Sequence, residues 1–196
     1  ATLILVAHPS VPASDLRELL LLKKDFSYGT AGTGSTPHLA GELLAQRTGI
    51  DLIHVPYKGG GQAMGDGVGG PIPLVFTAIA TAQQFVKSGK LKGLGVSAAK
   101  RSGSLPEVPT FIESGLDGFV VDSWTGILAP AKTPREAVER LQKEIAAVLG
   151  EPEIRSRYAT LGIEPVGNAP EMFAEQIRAD LARWEKVVRQ AKIRIE

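Results

Sequence analysis

Apolar and polar positions alternate in short blocks along the first hundred residues, and the blocks predict strands that are separated by helices. Short apolar runs that are rich in β-branched residues and bounded by glycine or charged residues are typical of buried strands. Repeated alternation of strand and helix predicts an α/β fold around a parallel, doubly wound sheet with right-handed crossovers. The predicted strands are LILVA, FSYGTAG, IDLIHVPY, IPLVFTAI and LKGLGVSA.

The helices between these strands are predicted from apolar spacing and from residues that favour helix ends. Ser14 is the predicted N-terminal cap of the first helix, and Gly49 and Gly89 are the predicted ends of two others. A further short helix is predicted to begin between Gln62 and Asp66. The segments with helical patterns are ASDLRELLLLKKD, STPHLAGELLAQRTG and TAQQFVKSG.

Beyond residue 100 the alternation ends, and a connection rich in proline and glycine (residues 100–118) leads into a helical tail. FVVDSWTGILAP has the apolar composition of strands. The helix that follows is predicted to begin with Thr133 as its cap and Pro134 as its first residue. The predicted helices of the tail are TPREAVERLQKEIAAVLG, PEIRSRYATLG and APEMFAEQIRADLARWEKVVRQA.

This change of pattern predicts two lobes. Residues 9–116 are expected to form a complete α/β lobe with anion-binding loops. Residues 1–8 and 117–196 are expected to supply crossover strands and C-terminal helices of a second lobe. That lobe is expected to be incomplete, because three helices on only one or two strands would leave apolar faces without a partner.

Composition excludes several classes of function. The chain has 43% hydrophobic and 22% charged residues, a formal net charge of +1 and no cysteine. A charge so close to zero is not that of a nucleic-acid-binding protein. The lack of cysteine excludes thiol catalysis, disulfides and cysteine-based zinc sites. No apolar run approaches the ~20 residues of a membrane-spanning helix.

The stretch YGTAGTGSTPHL is the first candidate for chemistry, because it places glycines and hydroxyls at the start of a helix. Glycine lets backbone amides approach a ligand closely, and a helix N-terminus carries partial positive charge. A phosphate or a carboxylate would suit such a site. An ordinary tight strand-to-helix turn explains the same residues equally well.

A second glycine-rich stretch, VPYKGGGQAMGDGVGG, follows another predicted strand. Loops at the carboxyl ends of neighbouring parallel strands face one crevice, where open α/β sheets bind ligands. Lys58 is a candidate cation for such a ligand, although a lone loop lysine is more often solvated. Trp124 either lines a cleft or packs at a hinge.

Ser35 and His38 raise the alternative of a hydrolase or transferase that acts on a phosphorylated or ester substrate. A serine nucleophile needs a base within hydrogen-bond reach and a third group that orients the base. Neither a G-x-S-x-G elbow nor another signature of that chemistry is present. Three scattered histidines without a HExxH motif give no metal site.

Taken in order, four motifs resemble the Bug family, the TctC-like extracytoplasmic solute receptors of tripartite tricarboxylate transporters. The likeness covers essentially the whole chain. It implies a periplasmic-binding-protein-like (type II) α/β architecture of two lobes, with one lobe complete here and the other only partly present. The motifs are GTGSTPHLAGELL, GIDLIHVPYKGGGQA, SAAKRSGSLPEVPTFIESGLDGF and SWTGILAPAKTP.

The resemblance further implies an exported, periplasmic receptor that performs no chemistry and needs neither cofactor nor metal. Its partners would be a small carboxylate and the membrane permease subunits, with no nucleic acid and no direct membrane insertion. The family's N-terminal Gly/Thr-rich segment, which forms the opposite jaw of the cleft, is not among these residues. Weak or no ligand binding, together with self-association, is therefore expected of this chain.

Carried over residue by residue, the resemblance implies that loop amides, hydroxyls and waters bind the carboxylate of the ligand. Two departures affect the site: Thr77 stands where members commonly have aspartate, and Gly-Gly-Gln replaces a segment that often contains proline. His38 is expected to support the first loop. The implied ligand-binding residues are Gly32, Thr33, Gly34, Ser35, Thr36, His38, Tyr57, Lys58, Gly59, Gly60, Gln62, Thr77, Ala78 and Trp124.

Overall fold

The computed structural model describes residues 1–194 and contains one five-stranded sheet with the strand order β3-β2-β4-β1-β5. Every strand lies within a segment that the sequence predicts as a strand. The bounds are β1 (Leu3–Ala7), β2 (Phe26–Thr30), β3 (Leu52–Pro56), β4 (Leu74–Ala78) and β5 (Lys92–Val96).

Seven helices complete the described chain, and their positions follow the predicted order. Four of them lie between the strands of the sheet and three in the C-terminal tail. The helix predicted near Gln62 begins two residues earlier and is longer than expected. The bounds are α1 (Leu16–Leu21), α2 (Thr36–Thr48), α3 (Gly60–Gly69), α4 (Ile79–Lys87), α5 (Arg135–Gly150), α6 (Pro152–Thr160) and α7 (Pro170–Ala191).

The direction of β1 differs from the prediction of a parallel sheet. β2 runs parallel to β3 and β4, but β1 lies between β4 and β5 and is antiparallel to both. All five residues of β1 are buried. Residues 1–8, which were expected to belong to the second lobe, therefore contribute a central strand to this sheet. Apolar composition predicts that a strand is buried but does not specify its partners.

Three local predictions are wrong. Residues 119–128, expected to form strands, contain no strand in the described chain; Asp122 forms an isolated bridge with Thr2. Asp15 rather than Ser14 caps α1, accepting the amide of Glu18 at 2.9 Å. At α5 the cap position is Pro134 rather than Thr133. Which of two adjacent residues becomes the cap depends on where the chain turns into the helix, and the sequence does not specify that position.

The core lies against both faces of the sheet. Phe111 contacts Phe76 and Phe119 edge-to-face, with ring centroids 5.8 and 5.0 Å apart. A second cluster places β1 and β4 side chains against α3 and α4. These contacts hold the strands whose ends carry the candidate site.

The described chain divides into two compact units, which are considered separately. The first comprises Ala1–Ser123 and the residues from Val187 onward, and the second comprises Trp124–Lys186. The correspondence between these units and the predicted lobes stays a prediction. None of the helices formed by residues 1–194 combines the length and apolar composition that crossing a bilayer requires.

Candidate ligand-binding site

The candidate site lies where β2, β3 and β4 end and α2, α3 and α4 begin. These strands are parallel neighbours, so their carboxyl ends share one edge of the sheet. The first loop (residues 31–35) and the second loop (residues 57–59) are in contact there. The Tyr57 amide donates to the Thr30 carbonyl at 3.1 Å. A Cβ atom on Gly32 would lie 3.2 Å from the Tyr57 carbonyl oxygen.

The helices that begin at this edge lack side-chain caps at their N-termini. Ser35, Gly59 and Ala78 occupy the cap positions of α2, α3 and α4, and none of them forms a side-chain cap. Amides in the first turn of a helix have no acceptor within the helix and carry partial positive charge. The starts of α2 and α3 therefore place backbone donors at one edge of the sheet, whereas the Ile79 amide of α4 already donates to the Thr2 carbonyl at 3.0 Å.

Within the first loop, the Ser35 hydroxyl donates to the Gly32 carbonyl at 2.7 Å. The Gly34 amide donates to Nδ1 of the buried His38 at 3.0 Å. Gly32 and Gly34 have φ angles of 137° and 77°, which favour glycine. The hydroxyl proton and the imidazole lone pair are thus both used inside the loop. This arrangement shapes a turn and gives Ser35 no base.

The second loop is held in the same way. Its Lys58 amide donates to Oε1 of Gln62 at 3.2 Å, and Gly59 has a φ of 130°. Gln62 and His38 occupy equivalent positions, the third residue of a helix, and each accepts the amide that precedes the cap residue. The Lys58 side chain is exposed. Partial burial and a 2.7 Å hydrogen bond to Asp66 raise the pKa of Tyr57 to about 12.

Thr77 and Ala78 complete this edge at the end of β4. Thr77 is buried, and a Cβ atom on Gly60 would lie 3.1 Å from its hydroxyl oxygen. The end of β4 thus contacts the start of α3. A larger residue at position 60 would displace the Thr77 hydroxyl.

Trp124 lies in the second compact unit and is not among the residues that this edge brings together. Its indole Nε1 donates to Asp180 at 2.7 Å, and its ring packs edge-to-face on Phe173 with centroids 5.0 Å apart. The side chain is 41% exposed. Its role in ligand binding stays a prediction.

Sequence reasoning named His38 as the support of the first loop but missed the polar residues that His38 contacts there. His38 and His54 stack with ring centroids 3.6 Å apart and planes 9° apart. The Tyr28 hydroxyl donates to Glu42 at 2.9 Å, and Glu42 lies 3.6 Å from Nε2 of His38. Only the helical spacing of His38 and Glu42 was visible in the sequence; the approach of Tyr28 and His54 depends on strand pairing.

Burial sets the charge of this cluster. Desolvation, and secondarily the neighbouring His38, lowers the pKa of His54 to about 4. The hydrogen bond from His38 lowers the pKa of Glu42, which keeps that carboxylate ionised. Desolvation and the nearby Glu42 raise the pKa of the Tyr28 phenol. Among residues 1–194 no group of histidine, aspartate or glutamate side chains could hold a metal ion.

Comparison with known proteins identifies the family. The family model described as "Tripartite tricarboxylate transporter family receptor" matches residues 1–193. The chain belongs to this receptor family. A relative in Pseudomonas sp. strain P51, the UPF0065 protein in the tcbD–tcbE intergenic region, is 36% identical to this receptor-family chain over 190 residues. The match covers 94% of this chain and 56% of that protein, so the chain spans about half the relative's length.

Two solved structures of similar proteins confirm the periplasmic-binding-protein-like fold of this receptor-family chain. R. palustris Rpa4515 with adipate has a TM-score of 0.87 and 32% identity, covering 98% of this chain and 66% of that one. The periplasmic binding protein BugD has a TM-score of 0.85 and 32% identity, covering 100% and 67%. The Bug resemblance is therefore confirmed. The family is one of transporter receptors rather than enzymes, and the comparisons lend no support to a Ser35 hydrolase.

Proposed function

We propose that this chain is part of a solute-binding receptor of a tripartite tricarboxylate-type transporter and that it binds a small carboxylate without chemistry. The observation that carries the proposal is the pair of helix N-termini without side-chain caps, those of α2 and α3, at one sheet edge. By contrast α1, which follows the oppositely directed β1, is capped by the Asp15 carboxylate. A carboxylate thus caps α1, which begins away from the site, and no negative side chain occupies the three cap positions at the site.

The proposed ligand contacts are backbone amides and hydroxyls. Amides of the first turns of α2 and α3 would bind the carboxylate, since a helix N-terminus is a ready anion site. Contacts from Trp124 and from the exposed Lys58 belong to the proposal as well. The residues proposed to line the site on the sheet edge are Gly32, Thr33, Gly34, Ser35, Thr36, Tyr57, Gly59, Gly60, Gln62, Thr77 and Ala78.

The biological setting is proposed from the family. A relative solved with adipate supports a dicarboxylate ligand. The description of BugD as a periplasmic binding protein supports a periplasmic location for the complete receptor, with delivery of ligand to membrane permease subunits. We also propose self-association of this chain through apolar side chains of the second unit, such as Leu141 and Leu181, which are 56% and 65% exposed.

The ligand is tested by NMR titration of the 15N-labelled chain with adipate. We expect a Kd on the order of 1 mM, because this chain covers only 66% of the relative solved with adipate. Amide shifts should concentrate at residues 32–36 and 58–62. Adipamide, which has the same length and no charge, is the matched control and should cause no shift. Shifts with inorganic phosphate and none with adipate would contradict the proposal.

Gly32→Ala tests the loop itself. Alanine at this position combines an unfavourable φ of 137° with a Cβ atom 3.2 Å from the Tyr57 carbonyl, so the loops must separate. We expect at least a roughly tenfold weaker adipate affinity, corresponding to ~1.4 kcal/mol. Gly65→Ala on α3 is the control, since its Cβ would meet nothing within 4 Å. Equal affinities for the two variants would contradict the assigned site.

A further inference from the structure

A polar cluster with two buried and two partly buried members lies beneath the first loop. We call Tyr28, His38, Glu42 and His54 the imidazole cluster. Its two rings stack at 3.6 Å, and Tyr28 tilts against His54 with centroids 5.2 Å apart. Each imidazole also reaches a glycine of the first loop, His38 directly and His54 through a hydroxyl. The cluster therefore contacts the proposed site without lining it.

Both connections to the loop are hydrogen bonds. His38 accepts the Gly34 amide on Nδ1 at 3.0 Å. His54 Nε2 lies 2.7 Å from the Thr30 hydroxyl, which accepts the Gly32 amide at 3.2 Å. Thr30 is fully buried, so its hydroxyl cannot exchange these partners for water. The Gly34 amide thus has its acceptor in the cluster, and the Thr30 hydroxyl that accepts the Gly32 amide is held by His54 of the cluster.

Protonation would break the more direct of these bonds. An imidazole accepts through one nitrogen only while it is neutral, and imidazolium is a donor at both nitrogens. His38 with Nδ1 as acceptor carries its proton on Nε2, which faces Glu42 at 3.6 Å. A proton added to Nδ1 would point at the Gly34 amide, and donor would face donor.

The surroundings of the cluster contain few groups that could stabilise an additional positive charge. The titratable groups that act on His54 and Glu42 belong to the cluster itself, namely Tyr28 on β2, the two histidines and Glu42 on α2, and β4 (LVFTA) carries none. One carboxylate already receives the Tyr28 hydroxyl and faces His38. Desolvation lowers the pKa of His54 to about 4, so the His54 ring is neutral at pH 5 and above.

We propose that the imidazole cluster positions the first loop, which keeps its ligand-binding shape only while Nδ1 of His38 is unprotonated and accepts the Gly34 amide. His38 and His54 are positioning residues, and the inference rests on the proposed carboxylate function of the loop. The direction in which affinity changes with pH distinguishes this role from direct attraction between the histidines and the carboxylate. Histidines that contacted the carboxylate would strengthen binding when protonated, whereas positioning histidines weaken it.

The test compares wild-type chain with His38→Asn/His54→Gln between pH 8 and pH 5. Asparagine can place Oδ1 where Nδ1 accepts, and glutamine can place its amide where Nε2 meets Thr30, yet neither titrates. His8→Asn is the control, because His8 contacts Ser10 outside the cluster. Adipate affinity is measured by NMR titration, and the ratio to the double variant cancels the ligand's own protonation.

We expect wild-type affinity to fall relative to the double variant by up to about tenfold per pH unit once an imidazole charges. His8→Asn should follow the wild type. The Gly34 amide resonance should track the His38 titration in the free protein, and long-range 15N spectra should show His38 protonated on Nε2. Single His38→Asn repeats the comparison if the double variant loses its folded spectrum.

The outcomes separate the two proposals. Identical pH profiles for wild type and double variant, or a wild type that gains affinity at low pH, would overturn the positioning role and leave the receptor function standing. A Gly34 resonance that ignores the His38 titration would also overturn it. If adipate binds at no pH while Gly34 follows the histidines, the positioning of the loop stands and the carboxylate function fails.

Discussion

At the scale of single residues, glycines decide how closely the parts of the site approach one another. Gly41 lies inside α2, and a Cβ atom there would meet the Tyr28 ring at 2.3 Å. Glycine is normally unfavourable in a helix interior, so its presence here is explained by packing. The absent side chain lets Tyr28 reach both Glu42 and the His38 carbonyl.

Gly41→Ala should therefore destabilise the protein despite alanine's better helix propensity. Overpacking of a tight core typically costs ~1–3 kcal/mol, which exceeds the helical gain of ~1 kcal/mol. Urea unfolding should show a lower midpoint for Gly41→Ala. Gly65→Ala, a helix glycine beside open space, should be unchanged or slightly more stable. A Gly41→Ala midpoint above the wild type would contradict the packing argument.

The lowered pKa of His54 predicts how the free energy of unfolding depends on pH. Its folded pKa of about 4 lies below the ordinary value of 6.5, so the unfolded chain binds the proton first as pH falls. The free energy of unfolding should be highest above pH 6.5 and should fall progressively towards pH 4. His54→Gln should flatten this window, and His8→Asn should not. Equal pH dependence of the two variants by urea unfolding would refute the assignment.

At the scale of elements, the first three helices of the sheet unit begin alike. In each, the side chain of the third residue accepts the amide that precedes the cap: Glu18, His38 and Gln62 accept from Ser14, Gly34 and Lys58. Only α1 of these three adds a capping carboxylate. The shared contact positions each loop, while the cap determines whether the helix end can receive an anion.

Asp15→Ala should lower the free energy of unfolding by about 1 kcal/mol, within the ~0.5–2 kcal/mol range for lost caps. Adipate affinity should stay unchanged, because α1 begins at the opposite edge of the sheet from the site. Ser14→Ala is the comparison; it loses an exposed bond to Glu18 and should cost less. A larger loss of unfolding free energy for Ser14→Ala than for Asp15→Ala, measured by urea unfolding, would show that Ser14 is the cap.

At the scale of the whole molecule, the two compact units differ in burial. The sheet unit contains nearly all buried apolar side chains of the described chain, whereas α5 and α6 bury none. Large exposed apolar side chains between residues 124 and 186 include Ile127, Leu128, Val166 and Met172. Such surfaces favour association in water, which supports the proposed self-association.

Self-association should be visible by analytical ultracentrifugation as an average mass that rises with concentration. Leu141→Lys/Leu181→Lys places charges on the exposed faces of α5 and α7 and should weaken association at least about tenfold. Leu21→Lys is the control, since Leu21 is 76% exposed but lies on α1 in the sheet unit. A monomeric wild type throughout the concentration range would contradict the proposal.

The element order and both glycine loops could be predicted from the sequence, because each depends on residues close together in the chain. Gly49 ends α2 in the left-handed conformation, as expected. The apolar run at residues 3–7 predicted a buried strand, but its antiparallel place between β4 and β5 depends on residues some seventy to ninety positions away. Residues 119–128 had strand composition but form only the isolated bridge between Asp122 and Thr2.

By itself the sequence determined which segments are helices and strands, that glycines and hydroxyls precede two helices, and which family the motifs resemble. The tertiary structure decided that three helix starts share one edge and that the Ser35 hydroxyl closes its own loop. It also brought His54 from β3 onto His38 from α2. Local patterns fix conformations, whereas strand pairing alone determines which distant side chains become neighbours and which of their protons are already used.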